Sequence, residues 1–72
     1  MSKLDRELIE KLKERYSAGC RVVLDFMEDD QAPPSGTKGT VVCVDDIGTI
    51  HVNWDNGSSL GLVFGEDGFH II

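Results

Sequence analysis

The sequence has few of the features that mark catalytic or metal-binding proteins. Its 72 residues include two cysteines, two histidines and 7% aromatic residues. The cysteines and histidines lie singly, without the C-x-x-C or H-x-x-x-H spacing of a zinc site, so we expect no metal and no cofactor. A chain of this length buries a thin core, which leaves little room for a deep catalytic pocket.

The sequence also has no apolar run that would direct export or cross a membrane. The first six residues are mostly polar or charged, without the apolar stretch of a signal peptide. We therefore expect a cytoplasmic protein. Disulfides are rare in a reducing compartment, so Cys20 and Cys43 are expected to be small, buried or half-buried thiols.

Charge is distributed unevenly along the chain. Residues 1–21 carry a net charge of +2 and residues 22–72 a net charge of −8, which gives the total of −6. The acidic part contains a single base, Lys38. Nucleic-acid binding depends on Lys and Arg side chains that displace counterions from phosphates, so this part favours a basic protein partner over nucleic acid.

The first part of the sequence predicts an amphipathic helix from about Lys3 to Ser17. Ser2 is a suitable N-cap, and Gly19 readily takes the left-handed conformation that ends a helix. A helix this short is marginal by itself, so its apolar stripe packs either on the following β-structure or on a second copy of the chain. The stripe consists of Leu4, Leu8, Ile9, Leu12 and Tyr16.

The remaining sequence has the period of short β-strands. The third strand alternates strictly, with Ile50, Val52 and Trp54 on one face. Asn56-Gly57 after it predicts a tight type I′ hairpin, and 63–68 predicts a loop or a single helical turn. The five predicted strands are 21–27, 39–44, 49–55, 58–62 and 69–72.

A meander of five short strands after one helix indicates a mainly β fold. We predict a small five-stranded SH3-like barrel at 19–72, preceded by one N-terminal amphipathic α-helix at 1–18, in a single domain. Barrel closure would remove the exposed edges of the sheet. An open three-stranded sheet against the helix is the alternative. The predicted core consists of Val23, Phe26, Val41, Val44, Ile50, Val52, Leu62, Phe69 and Ile71, covered by Leu8 and Leu12.

Two segments of the sequence resemble a known family. They are PSGTKGTV at 34–41 and the run at 45–62, in which GTIHVNWDNG at 48–57 is specific. Over about Gly19 to Ile72 the sequence is similar to a family of short uncharacterised proteins, a domain of unknown function found in Gram-positive bacteria, their phages and mobile elements. The resemblance implies an SH3-like barrel and no catalytic residues, and it leaves the helix outside the match.

The candidate partner-binding residues lie in two acidic loops. Glu28-Asp29-Asp30 follows the first strand and Asp45-Asp46 the second, and in an SH3-like barrel these loops would flank one face near Trp54. Carboxylates steer a basic partner, and an exposed Trp is a common interface anchor. Turn chemistry and a Trp in the core would explain the same residues without a function. The predicted surface consists of Asp29, Asp30, Asp45, Asp46 and Trp54.

The sequence contains no catalytic constellation. Asp45 with His51, or Asp67 with His70, could pair, but no nucleophile elbow, phosphate-binding glycine loop or oxyanion hole accompanies them. We predict a non-enzymatic protein-interaction module or accessory factor, a monomer or a helix-mediated homodimer that does not bind membranes. The alternative is a nucleic-acid-associated barrel that uses the basic helix or dimerisation.

Overall fold

The chain forms one helix and a single antiparallel sheet in the computed structural model, which describes residues 6–72. The sheet has the strand order β4-β3-β2-β1-β5. The predicted start of the helix and its N-cap Ser2 lie outside the described residues. The elements are α1 Arg6–Arg15, β1 Arg21–Phe26, β2 Lys38–Val44, β3 Thr49–Trp54, β4 Leu62–Val63 and β5 Gly68–Ile71.

Helix α1 packs on one face of this sheet through the predicted apolar stripe. Leu12 and Tyr16 are buried in the core, and Leu8 packs against it. The rings of Tyr16 and Phe69 lie with their centroids 5.3 Å apart. Gly19, with a φ of 93°, turns the chain from the helix into β1. The part of the stripe formed by Leu8, Leu12 and Tyr16 is therefore covered by the sheet of its own chain, while Leu4 lies outside the described residues.

The buried residues of β1 differ from the prediction. Val22 and Leu24 are fully buried, whereas Val23 is half-buried and Phe26 and Ile71 are exposed. At Val23 the predicted phase of β1 is wrong by one residue, because adjacent apolar residues offer either face to the core. The buried side chains of the other strands are Val41, Val44, Ile50, Val52, Trp54 and Leu62.

The sheet is open, so the predicted closure into a barrel is wrong. Strands β4 and β5 lie at the two edges, and within residues 6–72 no ladder joins them. The β pairing of the segment between them, 64–67, is limited to an isolated bridge from Phe64 to Asp67. The predicted strand at 58–62 contributes little, since β4 is two residues long. A strand this short provides too few backbone groups to close the sheet.

The turn that follows β3 is a hairpin of a different type from the one predicted. The N–H of Trp54 donates to the carbonyl of Ser58 at 2.8 Å, which leaves a three-residue loop. Gly57 has a φ of 95°, while no non-glycine residue in 6–72 has a positive φ. A type I′ turn needs a positive φ at Asn56 as well. The turn at 45–49 repeats this hydrogen-bond pattern.

None of the helical structure in residues 6–72 is long and apolar enough to cross a membrane.

Candidate partner-binding surface

The two acidic segments predicted to share a face lie at opposite ends of β2. The loop 27–37 leads into the start of β2, and the turn 45–48 follows its end. These ends are about 20 Å apart at the rise of a β-strand. The structure therefore keeps Asp29-Asp30 together and Asp45-Asp46 together, but it separates the two pairs from each other.

Trp54 lies in the core instead of on the surface. Its side chain is 3% exposed, and its Nε1–H donates to the carbonyl of Leu60 at 2.9 Å. The ring lies directly over Gly39, where an added Cβ would be 2.7 Å from the ring carbon Cε3. The exposure on which its predicted role as an interface anchor depended is absent, so the ring offers no surface to a partner.

Asp45 is occupied in closing the turn between β2 and β3. Its Oδ1 accepts the N–H groups of Ile47 at 3.1 Å and of Thr49 at 2.9 Å. Its Oδ2 lies 2.8 Å from Nε2 of His51. The hydrogen bond with His51 is the main cause that lowers the pKa of Asp45 below its ordinary value. These bonds give Asp45 a structural role in the turn.

Asp46 forms an exposed ion pair with the helix. Nζ of Lys13 donates to its Oδ1 at 2.8 Å, which ties α1 to the turn. This hydrogen bond lowers the pKa of Asp46 and raises the pKa of Lys13. A carboxylate that already has a base at ion-pair distance attracts a second basic group less strongly.

Each of the two histidines contacts a carboxylate, and one of these two pairs is among those that the sequence analysis considered. The Asp45–His51 pair is formed, but Asp67 does not pair with His70. Nδ1 of His70 lies 2.8 Å from Oδ2 of Asp25, its neighbour on the outer face of the sheet. Asp67 instead accepts the N–H of Val63 at 2.8 Å.

A different acidic surface lies where β1 ends and β5 begins. Gly68, the first residue of β5, pairs with Phe26, the last residue of β1. One acidic segment follows Phe26 and the other precedes Gly68, so the two segments meet at this end of the sheet. None of the carboxylates in these two segments has a base at ion-pair distance among residues 6–72. These carboxylates are Glu28, Asp29, Asp30, Glu66 and Asp67.

Two exposed phenylalanine rings accompany these carboxylates. Phe26 is 55% exposed and Phe64 is 39% exposed. Phe64 forms its bridge with Asp67, the residue before Gly68, and therefore lies at the same end of the sheet. We call Phe26, Phe64 and the five carboxylates the acidic aromatic surface. Exposed aromatic rings with surrounding polar groups are the composition of protein interfaces.

The sequence could not have shown that Phe26 belongs to this surface. Its apolar side chain at the end of an apolar strand suggested a core position. The register between β1 and β5 shifts between Leu24 and Phe26, so that Phe26 does not continue the inward alternation of Val22 and Leu24. Such an irregularity re-aims a side chain, and the pairing strand that causes it is more than 40 residues away in sequence.

Several bases of the basic segment are engaged within the protein. Arg21 donates to both carboxylate oxygens of Asp55, at 2.9 and 2.7 Å, and to the hydroxyl of Thr40 at 2.9 Å. The Asp55 hydrogen bond raises the pKa of Arg21 and lowers that of Asp55. The guanidinium of Arg15 lies 5.9 Å from the centroid of the Tyr16 ring.

The described residues contain no cluster of metal ligands. No three His, Cys, Asp or Glu side chains in 6–72 converge as the ligands of an ion would. Both cysteines are free thiols. Cys20 is half-buried as predicted, but Cys43 is exposed because it lies opposite His51 on the outer face of β2 and β3, away from the helix.

In a comparison with known protein families, one family model matches almost the whole chain. A family model described as a domain of unknown function (DUF4314) matches residues 5–72. The match includes α1, so the expectation that the helix lies outside the family's sequence is wrong. No curated protein and no solved structure matches the chain.

Proposed function

The chain belongs to the DUF4314 family, a domain of unknown function, and from the acidic aromatic surface we propose that it is a non-enzymatic protein-interaction module. The proposed partner is a protein with a basic surface that includes an apolar pocket. The observation that carries this proposal is the position of two exposed phenylalanine rings beside five carboxylates without an ion-pair partner in residues 6–72.

The two kinds of side chain contribute differently to binding. Burial of an aromatic ring in a partner's pocket supplies most of the affinity, because apolar area is removed from water. Carboxylates around the rings attract a Lys- or Arg-rich surface and raise the association rate. Asp29 and Asp30 keep their predicted role in this proposal, whereas Asp45, Asp46 and Trp54 serve the fold.

A nucleic-acid partner receives less support from the same charges. Lys13, Arg15 and Arg21 contact groups of the protein itself. The remaining bases of α1 alternate with Glu7, Glu10 and Glu14. Phosphate binding needs a cluster of bases that are free to displace counterions.

An SH3-like relationship and the cellular setting are also parts of the proposal. Strands β1 to β4 form consecutive hairpins and β5 returns to pair with β1, an arrangement that supports an SH3-like topology in open form. The cytoplasmic location is the one expected from the sequence, and the setting in Gram-positive bacteria, their phages or mobile elements rests on the sequence resemblance.

A matched pair of charge-reversal variants tests the proposed function. One variant changes Glu28, Asp29 and Asp30 to Lys, and the control changes Glu7, Glu10 and Glu14 to Lys, with the same change of net charge. Each tagged protein is used to capture partners from nuclease-treated host lysate, and captured proteins are identified by mass spectrometry. A partner of the wild type and the control that is lost in the loop variant supports the proposal.

A second pair of variants separates the rings from the charges. Phe26→Ser removes a ring of the acidic aromatic surface, and Ile47→Ser removes an exposed apolar side chain at the other end of β2. We expect Phe26→Ser to weaken binding of the captured partner about tenfold or more, and Ile47→Ser to leave it unchanged. Equal capture by all variants places the site elsewhere. Partners that disappear after nuclease treatment support nucleic acid as the ligand.

A further inference from the structure

Strand β5 leaves one edge of the sheet uncovered. It pairs with β1 along one side, and no other helix or strand of residues 6–72 lies along its second side. An uncovered edge presents backbone N–H and C=O groups that pair readily with another strand.

The register of β5 shows which backbone groups face this free edge. The N–H of Ile72 donates to the carbonyl of Arg21 at 3.1 Å, and Val23 is the residue opposite His70. Because hydrogen-bonded pairs alternate in an antiparallel ladder, the N–H and C=O of His70 point towards β1. Those of Phe69 and Ile71 point away from β1 and have no partner among the described residues.

The free edge lacks the features that usually prevent strand pairing. Residues 68–71 contain no proline, lysine or acidic residue. Two charged side chains of β1, Arg21 and Asp25, lie beside this strand, and both have partners within the chain, Asp55 and His70. Ile71 is 40% exposed although its backbone lies opposite the buried Val22, so its side chain is covered on one side only.

We infer that β5 pairs antiparallel with β5 of a second copy of this chain, about a two-fold axis at His70. In this register Phe69 of each copy lies opposite Ile71 of the other. All four free backbone groups of each edge then find a partner, and the two sheets become one continuous sheet of ten strands. Two identical strands can form this contact because a two-fold rotation relates the two strands of an antiparallel pair.

The side chains favour a second copy in this register. Phe69 and Ile71 lie on the face of β5 that packs with Leu24 and Val22. The two-fold axis therefore produces two apolar cross-strand pairs, each between Phe69 of one copy and Ile71 of the other. Such pairs stabilise a sheet. A slip of one residue would leave outward-facing backbone groups unpaired.

The charges permit this contact despite the net charge of −6 on each copy. The acidic aromatic surface adjoins Gly68, at the start of β5. In the antiparallel pair the two copies of Gly68 are offset by about 14 Å along the strands. That offset exceeds the Debye length of about 8 Å at physiological ionic strength, so repulsion between the two acidic surfaces is largely screened.

Two measurements on the wild-type chain test the inference directly. Light scattering after size exclusion should give twice the 7.9 kDa mass of one chain at high concentration, decreasing on dilution. Hydrogen exchange should show the amides of Phe69 and Ile71 protected only in the dimer. The amide of His70, which faces β1, should be protected at every concentration and serves as the internal control.

Substitutions at the two edges of the sheet provide a matched comparison. Ile71→Lys puts a charge on the proposed interface, whereas Val63→Lys makes the same change at a residue of similar exposure, 42%, on the other edge strand. We expect Ile71→Lys to be a folded monomer and Val63→Lys to keep the dimer. Ile71→Pro removes only an outward-facing N–H and should also be monomeric, with the circular dichroism of the folded chain.

Three results would overturn the inference. They are a wild type that stays monomeric at the highest concentration, a dimer in which the amides of Phe69 and Ile71 still exchange freely, and a dimer that Ile71→Lys leaves intact. If substitution of Ile71 unfolds the chain, the exchange measurement on the wild type decides the question alone.

Discussion

Gly39 lies at a position of β2 that has no room for a side chain. An added Cβ would lie 2.5 Å from Cγ1 of Val52, 2.7 Å from Cε3 of Trp54 and 3.1 Å from the carbonyl oxygen of Asn53. Since real Cβ atoms do not approach other heavy atoms this closely, a side chain at position 39 displaces the Trp54 ring or bends β3. The missing side chain thus makes room for the largest ring of the core.

We therefore expect Gly39→Ala to lower the free energy of unfolding by about 2 kcal/mol or more, because overpacking of a core forces side chains from their preferred positions. Urea denaturation followed by Trp54 fluorescence measures the change. Gly61→Ala is the control: its close contact would be with the Thr49 methyl at 2.8 Å, on a half-exposed side chain that can rotate away, and its distance to the carbonyl oxygen of Ile50, 3.6 Å, is an ordinary contact. Equal destabilisation by both substitutions would contradict this explanation.

The acidic residues show why a residue type does not reveal its role. Asp45 and Asp30 are both loop aspartates that turn propensity explains. Asp45 accepts two backbone N–H groups and contacts His51, whereas Asp30 has no hydrogen bond or ion pair among the described residues. That difference depends on what the folded chain places beside each carboxylate.

The helix and the strands were predicted with unequal success. Leu8 and Leu12 of α1 recur at helical spacing and pack with the sheet, and the strict alternation of β3 correctly put Ile50, Val52 and Trp54 on one face, although Trp54 was predicted as an exposed anchor. In β1 both Val22 and Val23 are apolar, so period alone does not decide which points inward. Pairing with β2 and β5 makes that decision.

For the element α1, we expect Leu12→Ala to lower the free energy of unfolding by about 2–3 kcal/mol, because it removes a buried side chain from the helix-sheet contact. The neighbouring Lys11→Ala, on the exposed face of the helix, should change it by less than about 0.5 kcal/mol. Chemical denaturation at a concentration where the chain is monomeric measures both. A Leu12→Ala variant as stable as the wild type would mean that α1 contributes little to the fold.

On the scale of the whole molecule, most paired charges join elements that are distant in sequence. Lys13 connects α1 to the turn after β2, Arg21 connects β1 to the turn after β3, and His70 connects β5 to Asp25 on β1. Among the described loop carboxylates, those that remain without a base cluster at the Phe26 end of the sheet. The net charge was evident from composition, but its concentration at that end follows from the pairing of β1 with β5.

The ion pairs of Asp45, Asp46 and Asp55 predict that the folded chain loses stability in acid. The pKa values of Asp45, Asp46 and Asp55 in the folded chain lie below the ordinary value of 3.8. A group with a lowered pKa in the folded state stabilises it fully above the unfolded pKa and loses this effect as pH falls through the folded pKa. We expect the free energy of unfolding to fall from about pH 5 to about pH 2.

Thermal melts across this pH range measure the effect, with two substitutions for comparison. Asp45→Asn keeps an oxygen acceptor for the turn but removes the charge beside His51, so its stability should depend less on acid pH. Asp30→Asn removes a carboxylate without a hydrogen bond or ion pair, and its acid dependence should equal that of the wild type. The contrary result, an unchanged pH dependence in Asp45→Asn, would show that Asp45 does not contribute to the acid loss.

The sequence by itself determined the helix, the order of the β-segments, the positions of the turns and the uneven charge, because these follow from local period, glycine placement and composition. Tertiary structure alone decided the phase of β1, the burial of Trp54 over Gly39, the open edge at β5 and the exposure of Phe26. Each of these depends on a strand or side chain far away in sequence, and non-local pairing leaves no period in the residues it acts on.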